Sequence, residues 1–121
     1  MNTTTTEPHV CDFSYLEQFA QGNQGFQQEM LKIYLEEINI ALIQLEHAIE
    51  QGNFENIEHI AHHMRSPLPF SGIDKLIGSD VEHIELLGKK HAALDTIRAL
   101  FLEAKRVCVQ ANEEIKPLIR G

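Results

Sequence analysis

Residues 94–118 read LDTIRALFLEAKRVCVQANEEIKPL. Leu94, Ile97, Phe101, Ala104, Cys108, Ala111, Ile115 and Leu118 recur at alternating spacings of three and four. Such a repeat lays one apolar seam along a helix and suits neighbours that pack nearly parallel to it. The spacing predicts a helix over residues 91–116, with Cys108 on the seam as a small buried hydrophobe. One amphipathic helix cannot bury its seam alone, so the rest of the chain must supply partners.

Those partners are legible upstream. Ile73, Leu76, Ile77, Ile84 and Leu87 form a helical stripe over residues 72–87. Gly78 and Ser79 weaken it, and Gly88-Lys89-Lys90 closes it with cations at the dipole's negative end. Residues 24–51 read as one long helix, with no Pro or Gly between Phe26 and Gln51. Met30, Ile33, Tyr34, Ala41, Leu45 and Ala48 would form its inward face, with Glu29, Lys32, Glu36, Glu37 and Glu46 mostly outside. Gly52 is its stop and Asn53 the N-cap of the next helix. A short first helix follows Asp12 as N-cap, with Phe13, Leu16 and Phe19 or Ala20 on one face and the glycines of QGNQG as breakers. No stretch alternates as a strand would. The expected fold is all-α: an antiparallel four-helix bundle with a short additional N-terminal helix as a lid.

Composition narrows the function. At 121 residues the chain fits one domain able to bury a core without disulfides or metal. Ten Lys and Arg against 18 Asp and Glu give a formal charge of −8, which argues against nucleic-acid binding through phosphate neutralisation. Residues 1–10, MNTTTTEPHV, read as a disordered lead-in with neither the basic nor the apolar segment of a signal peptide. Residues 11–121 are then the folded domain. No apolar run approaches the ~20 residues of a membrane span, and the cytoplasm is the expected compartment. Cys11 and Cys108 could bridge the ends of a fold, but nothing indicates secretion.

The chemistry concentrates in residues 57–72, IEHIAHHMRSPLPFSG. Taking about 100° per residue from Ile57, the residues Ile60, Ala61, Met64 and Leu68 fall within about 60° of it, while His62, His59 and His63 lie at about 140°, 200° and 240°. All three histidines are therefore expected on the surface. His59 with His62, or His59 with His63, could hold Zn²⁺ from one helix face, but Glu55 or Glu58 would have to complete the ligand set. Ser66, one turn beyond His62, could touch it, but adjacent side chains on a convex helix make no pocket for hydrolysis. The plainest reading is a solvated polar face.

The whole arrangement says more. Ala61, His62, Met64, Arg65, Ser66 and Gly72 resemble, in turn, the approximate A-H-x-L-K-G motif and following glycine of the histidine phosphotransfer (HPt) family. DFSYLEQFAQGN is similar to that family's first helix and turn, and MLKIYLEEINIALIQLEHAIEQGNFENIEHIAHH to its long second helix and the entry to its histidine helix. The resemblance covers residues 12–118. It implies a phosphorelay intermediate that accepts a phosphoryl group from a receiver-domain aspartate onto His62 and passes it to another receiver. The chemistry suits the residue types. Neutral imidazole has a nucleophilic nitrogen, and an exposed imidazole ordinarily titrates near ~6.5. Phosphoryl transfer needs nearby cations, which Arg65 could supply in bidentate form. Ser66 would keep the surface low for an approaching partner, and His63 and His59 would shape that partner surface. Helical phase does not separate His62 from His63; Arg65 three residues on from His62, and the family motif, favour His62.

The same resemblance implies no cofactor or metal bound by this chain, with Mg²⁺ supplied by the receiver. Its partners would be response-regulator receivers or a hybrid sensor histidine kinase, and the chain a monomer without nucleic-acid or membrane contacts. No Gly-rich phosphate loop or kinase-sized segment is present, so the chain is expected to carry the group rather than act as an enzyme. The alternative is a helical adaptor that only binds a receiver or kinase. Met1 and the polar start suggest a free-standing domain, although a piece of a larger kinase would look much the same. Two departures from the family stand out. Pro67 and Pro69 remove backbone donors at a cost of about 3 kcal/mol for an interior proline, so the histidine helix is expected to kink just past Ser66 or to stop there, with the kink preferred. Ile84-Glu85 sits one residue later than the family's usual Leu-Glu, which leaves the local register of that helix open. Leu68 and Phe70 could form an apolar rim beside the site or be core residues, with the core preferred for Leu68.

Overall fold

A computed structural model describes residues 9–119. Six helices pack together: α1 Ser14–Ala20, α2 Gln24–Glu50, α3 Phe54–Met64, α4 Leu68–Ser71, α5 Asp74–Lys89 and α6 Leu94–Ile115. A 3₁₀ turn, Lys116–Leu118, ends the described chain, and no strand occurs among the described residues. Two asparagines start helices by the same device. Asn23 Oδ1 accepts from the Phe26 N–H at 2.9 Å, and Asn53 Oδ1 from the Asn56 N–H at 3.1 Å, each satisfying a donor with no partner inside the helix.

The prolines end the histidine helix rather than kinking it. α3 stops at Met64, Pro67 stands at the N-cap position of α4, and Pro69 lies in its first turn, where a missing N–H costs nothing. Gly72 closes α4 at φ +80°, in the left-handed region, so α5 begins at Asp74 and not at 72. His91 and Ala93 also take left-handed conformations, which delays α6 to Leu94. Asp12 does not cap α1 in the expected way. Phe13 occupies the cap position, while Asp12 Oδ1 accepts from the N–H and hydroxyl of Ser14 and Oδ2 pairs with Lys75 at 2.7 Å. These partners, the Lys75 ammonium foremost, hold the Asp12 carboxyl below the usual carboxylate range.

The seam of α6 is buried from Ile97 through Phe101, Ala104, Cys108 and Ala111 to Ile115; Leu118 lies beyond the helix and is exposed. Ile77, Val81 and Ile84 of α5 and Ile57, Ala61 and Met64 of α3 belong to the same buried core. Leu68 joins the same core, as expected. α2 departs from its predicted face. Tyr34, Leu45 and Ala48 are buried, but Leu31, Ile38, Leu42 and Ile49 complete the inward side, Met30 and Ala41 are half-buried and Ile33 is exposed. α2 carries apolar residues on two faces, and periodicity alone cannot say which one meets the core. On α5, likewise, Leu76 is exposed, Leu87 is half-buried and Val81 is buried.

The segment before α1 is docked. The backbone N–H groups of Val10 and Cys11 donate to the Glu114 carboxylate at 2.9 and 3.0 Å, and the Asp12 N–H donates to the Ser71 carbonyl at 2.8 Å. The disorder expected for residues 1–10 thus does not hold for Val10, which packs on the core because Glu114 satisfies its backbone; residues 1–8 lie outside the described ones. A side chain at Gly72 would collide with the Asp12 backbone, so this docking needs a residue without Cβ there. Cys11 and Cys108 are free thiols, both pushed up to about 12 by burial, with the Glu114 carboxylate adding to the effect at Cys11. No described helix is long and apolar enough to cross a membrane.

Candidate functional site

The close packing of α3 on α5 sets the site. At Gly88 a Cβ would lie 2.9 Å from the Glu58 backbone nitrogen, so the two helices approach with no room for a side chain. One turn earlier on α5, Glu85 Oε2 lies 2.8 Å from His62 Nδ1. The other oxygen of Glu85 accepts from Arg65 Nη1 at 2.9 Å, and Arg65 Nη2 donates to Glu82 at 2.8 Å. His62 and Arg65, three apart on α3, thus meet Glu82 and Glu85, three apart on α5. Burial on its own would raise the Glu85 carboxyl, but the bonds from His62 and Arg65 outweigh it and hold it below its ordinary range. His62 stays 61% exposed in its side chain, so the imidazole is accessible while anchored.

The predicted site residues divide between two sides of α3. His62 and Arg65 face α5. His63 and Ser66 line a groove of about 410 Å³ against α2, together with Glu37, Ile40, Ala41 and Ile60. The His59 ring centroid is 4.6 Å from that of His63, and the rings of His62 and His63 are 5.6 Å apart. Helical phase treats His62 and His63 as equivalent, but the neighbouring helices do not. His62 is bound to a carboxylate and lies beside a guanidinium, whereas His63 borders an apolar groove.

Sequence reasoning missed Glu82 and Glu85 as site residues. The signal was a pair of carboxylates three apart in VEHIE, 20 residues downstream of a His and Arg three apart. Only the α3–α5 contact says that the two pairs face one another. Among the described residues, no group of three or more His, Cys, Asp or Glu is placed to hold a metal ion.

A second feature adjoins the site. Tyr15, Phe19 and Phe26 are substantially exposed, yet Phe19 stacks on both Tyr15 and Phe26, and Tyr15 and Phe19 meet Phe70 edge-on, with ring centroids 5.3–6.1 Å apart. Met30, Ile33, Ser66, Pro67 and Phe70 carry this apolar surface on to the groove beside His63. Phe70 therefore lies at an apolar rim and also packs partly against the core. Comparison with family models, curated proteins and solved structures finds no match for the chain.

Proposed function

We propose that the chain is a histidine-containing phosphotransfer protein, an HPt-like phosphoryl carrier with His62 as the acceptor. The observation that carries this reading is an accessible imidazole on an open helix face, anchored by a carboxylate and set beside Arg65. A nucleophile without an enclosing cavity must receive the rest of its reaction site from a partner, which is how a carrier differs from a hydrolase. A receiver domain would supply the acyl phosphate and the Mg²⁺. Arg65 would exchange part of its contact with Glu82 and Glu85 for the oxygens of the incoming group. Residues His59, His63 and Ser66 would then contact the partner at the edge of the transfer site.

The fold supports this reading. α2, α3, α5 and α6 contact one another in a closed cycle, α2 to α3 to α5 to α6 and back to α2. With short links between successive elements, the arrangement reads as an antiparallel four-helix bundle, with α1 and α4 across one end. The aromatic surface of α1, α2 and α4 gives a receiver an apolar docking face next to His63. That face would serve a binding-only adaptor equally well, so the test must read the chemistry.

The test is transfer of label from aspartate-phosphorylated receivers to wild type, His62→Gln and His63→Gln. Acid-labile, base-stable label that is lost only in His62→Gln is expected. Loss only in His63→Gln would move the acceptor to His63, and absence of label from active receivers would leave the adaptor.

A further inference from the structure

Transfer of a phosphoryl group to an imidazole calls for positive charge near the incoming oxygens, and Arg65 is the cation beside His62. The fold has already committed it. The guanidinium lies between two carboxylates, with Nη1 on Glu85 at 2.9 Å and Nη2 on Glu82 at 2.8 Å. With His62 neutral, two carboxylates against one guanidinium leave this cluster negative. A phosphoryl group brings a further charge of about −1.5 to −2 near neutral pH. A guanidinium offers two parallel bonds from its Nη1/Nη2 edge or from its Nε/Nη2 edge. Nη2 belongs to both edges, and it is the nitrogen that Glu82 holds. The two carboxylates are not equivalent. Glu85 meets both His62 and Arg65, and its side chain is 21% exposed. Glu82 is 58% exposed, and among the described residues its one ion-pair partner is Arg65. Removing the Glu82 charge therefore frees Arg65 Nη2 and leaves in place the contact that anchors His62.

We propose that Glu82 is a brake on phosphoryl transfer to His62, competing with the incoming group for Arg65. This rests on the phosphocarrier reading above. In the step, the lone pair of a ring nitrogen forms the N–P bond as the bond between phosphorus and the donor breaks. That electron pair leaves with the donor: on the carboxylate of a receiver, or on the protonated nitrogen of phosphoramidate, which departs as ammonia. The ring keeps its hydrogen and becomes cationic. As phosphorus approaches, its oxygens turn to Arg65, displace Glu82 from Nη2 and come up against the Glu82 charge. Glu82 does not touch the reacting atoms. It acts through Arg65 and is a positioning residue, one that holds the cation away from the transfer.

The test uses the full chain and phosphoramidate, a small phosphoryl donor that needs no partner. The variants are Glu82→Gln, Arg65→Gln, the two together, and a control, Glu55→Gln, that removes one charge two turns away on α3. Labelling of His62 should be about two- to fivefold faster in Glu82→Gln than in wild type, the range of an exposed ion pair. Damage to the fold slows labelling, so a gain cannot come from it. On the Arg65→Gln background, Glu82→Gln should lose most of that gain, because the brake acts through the guanidinium. Labelling no faster in Glu82→Gln than in wild type would overturn the inference while leaving the carrier reading intact. A gain as large without Arg65 as with it would do the same, by assigning the effect to direct repulsion. An equal gain in Glu55→Gln would assign it to net charge and overturn it as well. Failure of the carrier reading shows differently, as His62 unlabelled in wild type and in every variant, by phosphoramidate and by every receiver.

Discussion

Replacing Gly88 by alanine sets two effects of opposite sign against each other. Alanine is the better helix former, by about 0.8–1.0 kcal/mol in a helix interior and by less near the end of α5, where Gly88 is the penultimate residue. Its Cβ, however, would lie 2.9 Å from the Glu58 backbone nitrogen and 3.2 Å from the Glu58 Cα and the Ile57 side chain. Backbone cannot swing aside, so α5 must retreat by about 0.5–1 Å to restore ordinary contact. Overpacking of this kind costs about 1–3 kcal/mol. The net expectation is destabilisation of about 1–2 kcal/mol. Gly78 in the same helix is the comparison, since its Cβ would meet nothing nearer than the Asp74 Cβ at 3.9 Å. Gly78→Ala should stabilise by about 0.5–1 kcal/mol. Urea denaturation of the two variants beside wild type measures both, and the midpoints should move in opposite directions. A Gly88→Ala protein as stable as Gly78→Ala would refute the claim that backbone contact sets the α3–α5 distance. The same retreat lengthens the His62–Glu85 contact from 2.8 Å toward the limit of a hydrogen bond, so the ring signal of His62 should change in Gly88→Ala and not in Gly78→Ala.

Two further outcomes are expected. Gly72→Ala combines a left-handed conformation, costing about 1–2 kcal/mol, with displacement of the Asp12 backbone from the Ser71 carbonyl, costing about 1 kcal/mol more; urea denaturation should show a loss of about 2–3 kcal/mol, and a loss under about 1 kcal/mol would mean that residues 9–13 are not docked as described. The Glu85 carboxyl, facing His62 and Arg65 with Glu82 nearby, is held below its ordinary value, so its contribution to stability is complete above the ordinary glutamate range and is lost as pH falls through the lower folded-state value. The stability gap between wild type and Glu85→Gln should therefore be full at neutral pH and close as pH falls below about 4, and a gap that widens there would reverse the sign of the argument.

Much of this was legible in the chain. The three-four repeat of α6 named its buried face from Ile97 to Ile115 because each position had an apolar residue and its neighbours were polar. Asn53 marks a helix start by side-chain chemistry that acts within three residues. The outward placement of His59, His62 and His63 followed from rotation per residue alone. Other readings failed where two local preferences competed. Pro67 could kink a helix or begin one, and the structure has α3 ending at Met64 with Pro67 at the N-cap position of α4. Ile33 and Leu31 are both apolar, and only tertiary packing selects Leu31 for burial.

By itself the sequence determined the long helices, the Asn53 cap, the exposure of the histidines and the excess of acidic charge, because each depends on composition or on residues within one or two turns of one another. Tertiary structure alone decided what distinguishes His62 from His63. Glu82 and Glu85 stand 17 to 23 residues from the side chains they meet, and the contacts require α5 to lie within van der Waals range of the α3 backbone at Gly88. The core that holds Ile57, Ala61, Val81 and Ile84 must accommodate that approach, a fit over the whole core that no local pattern encodes.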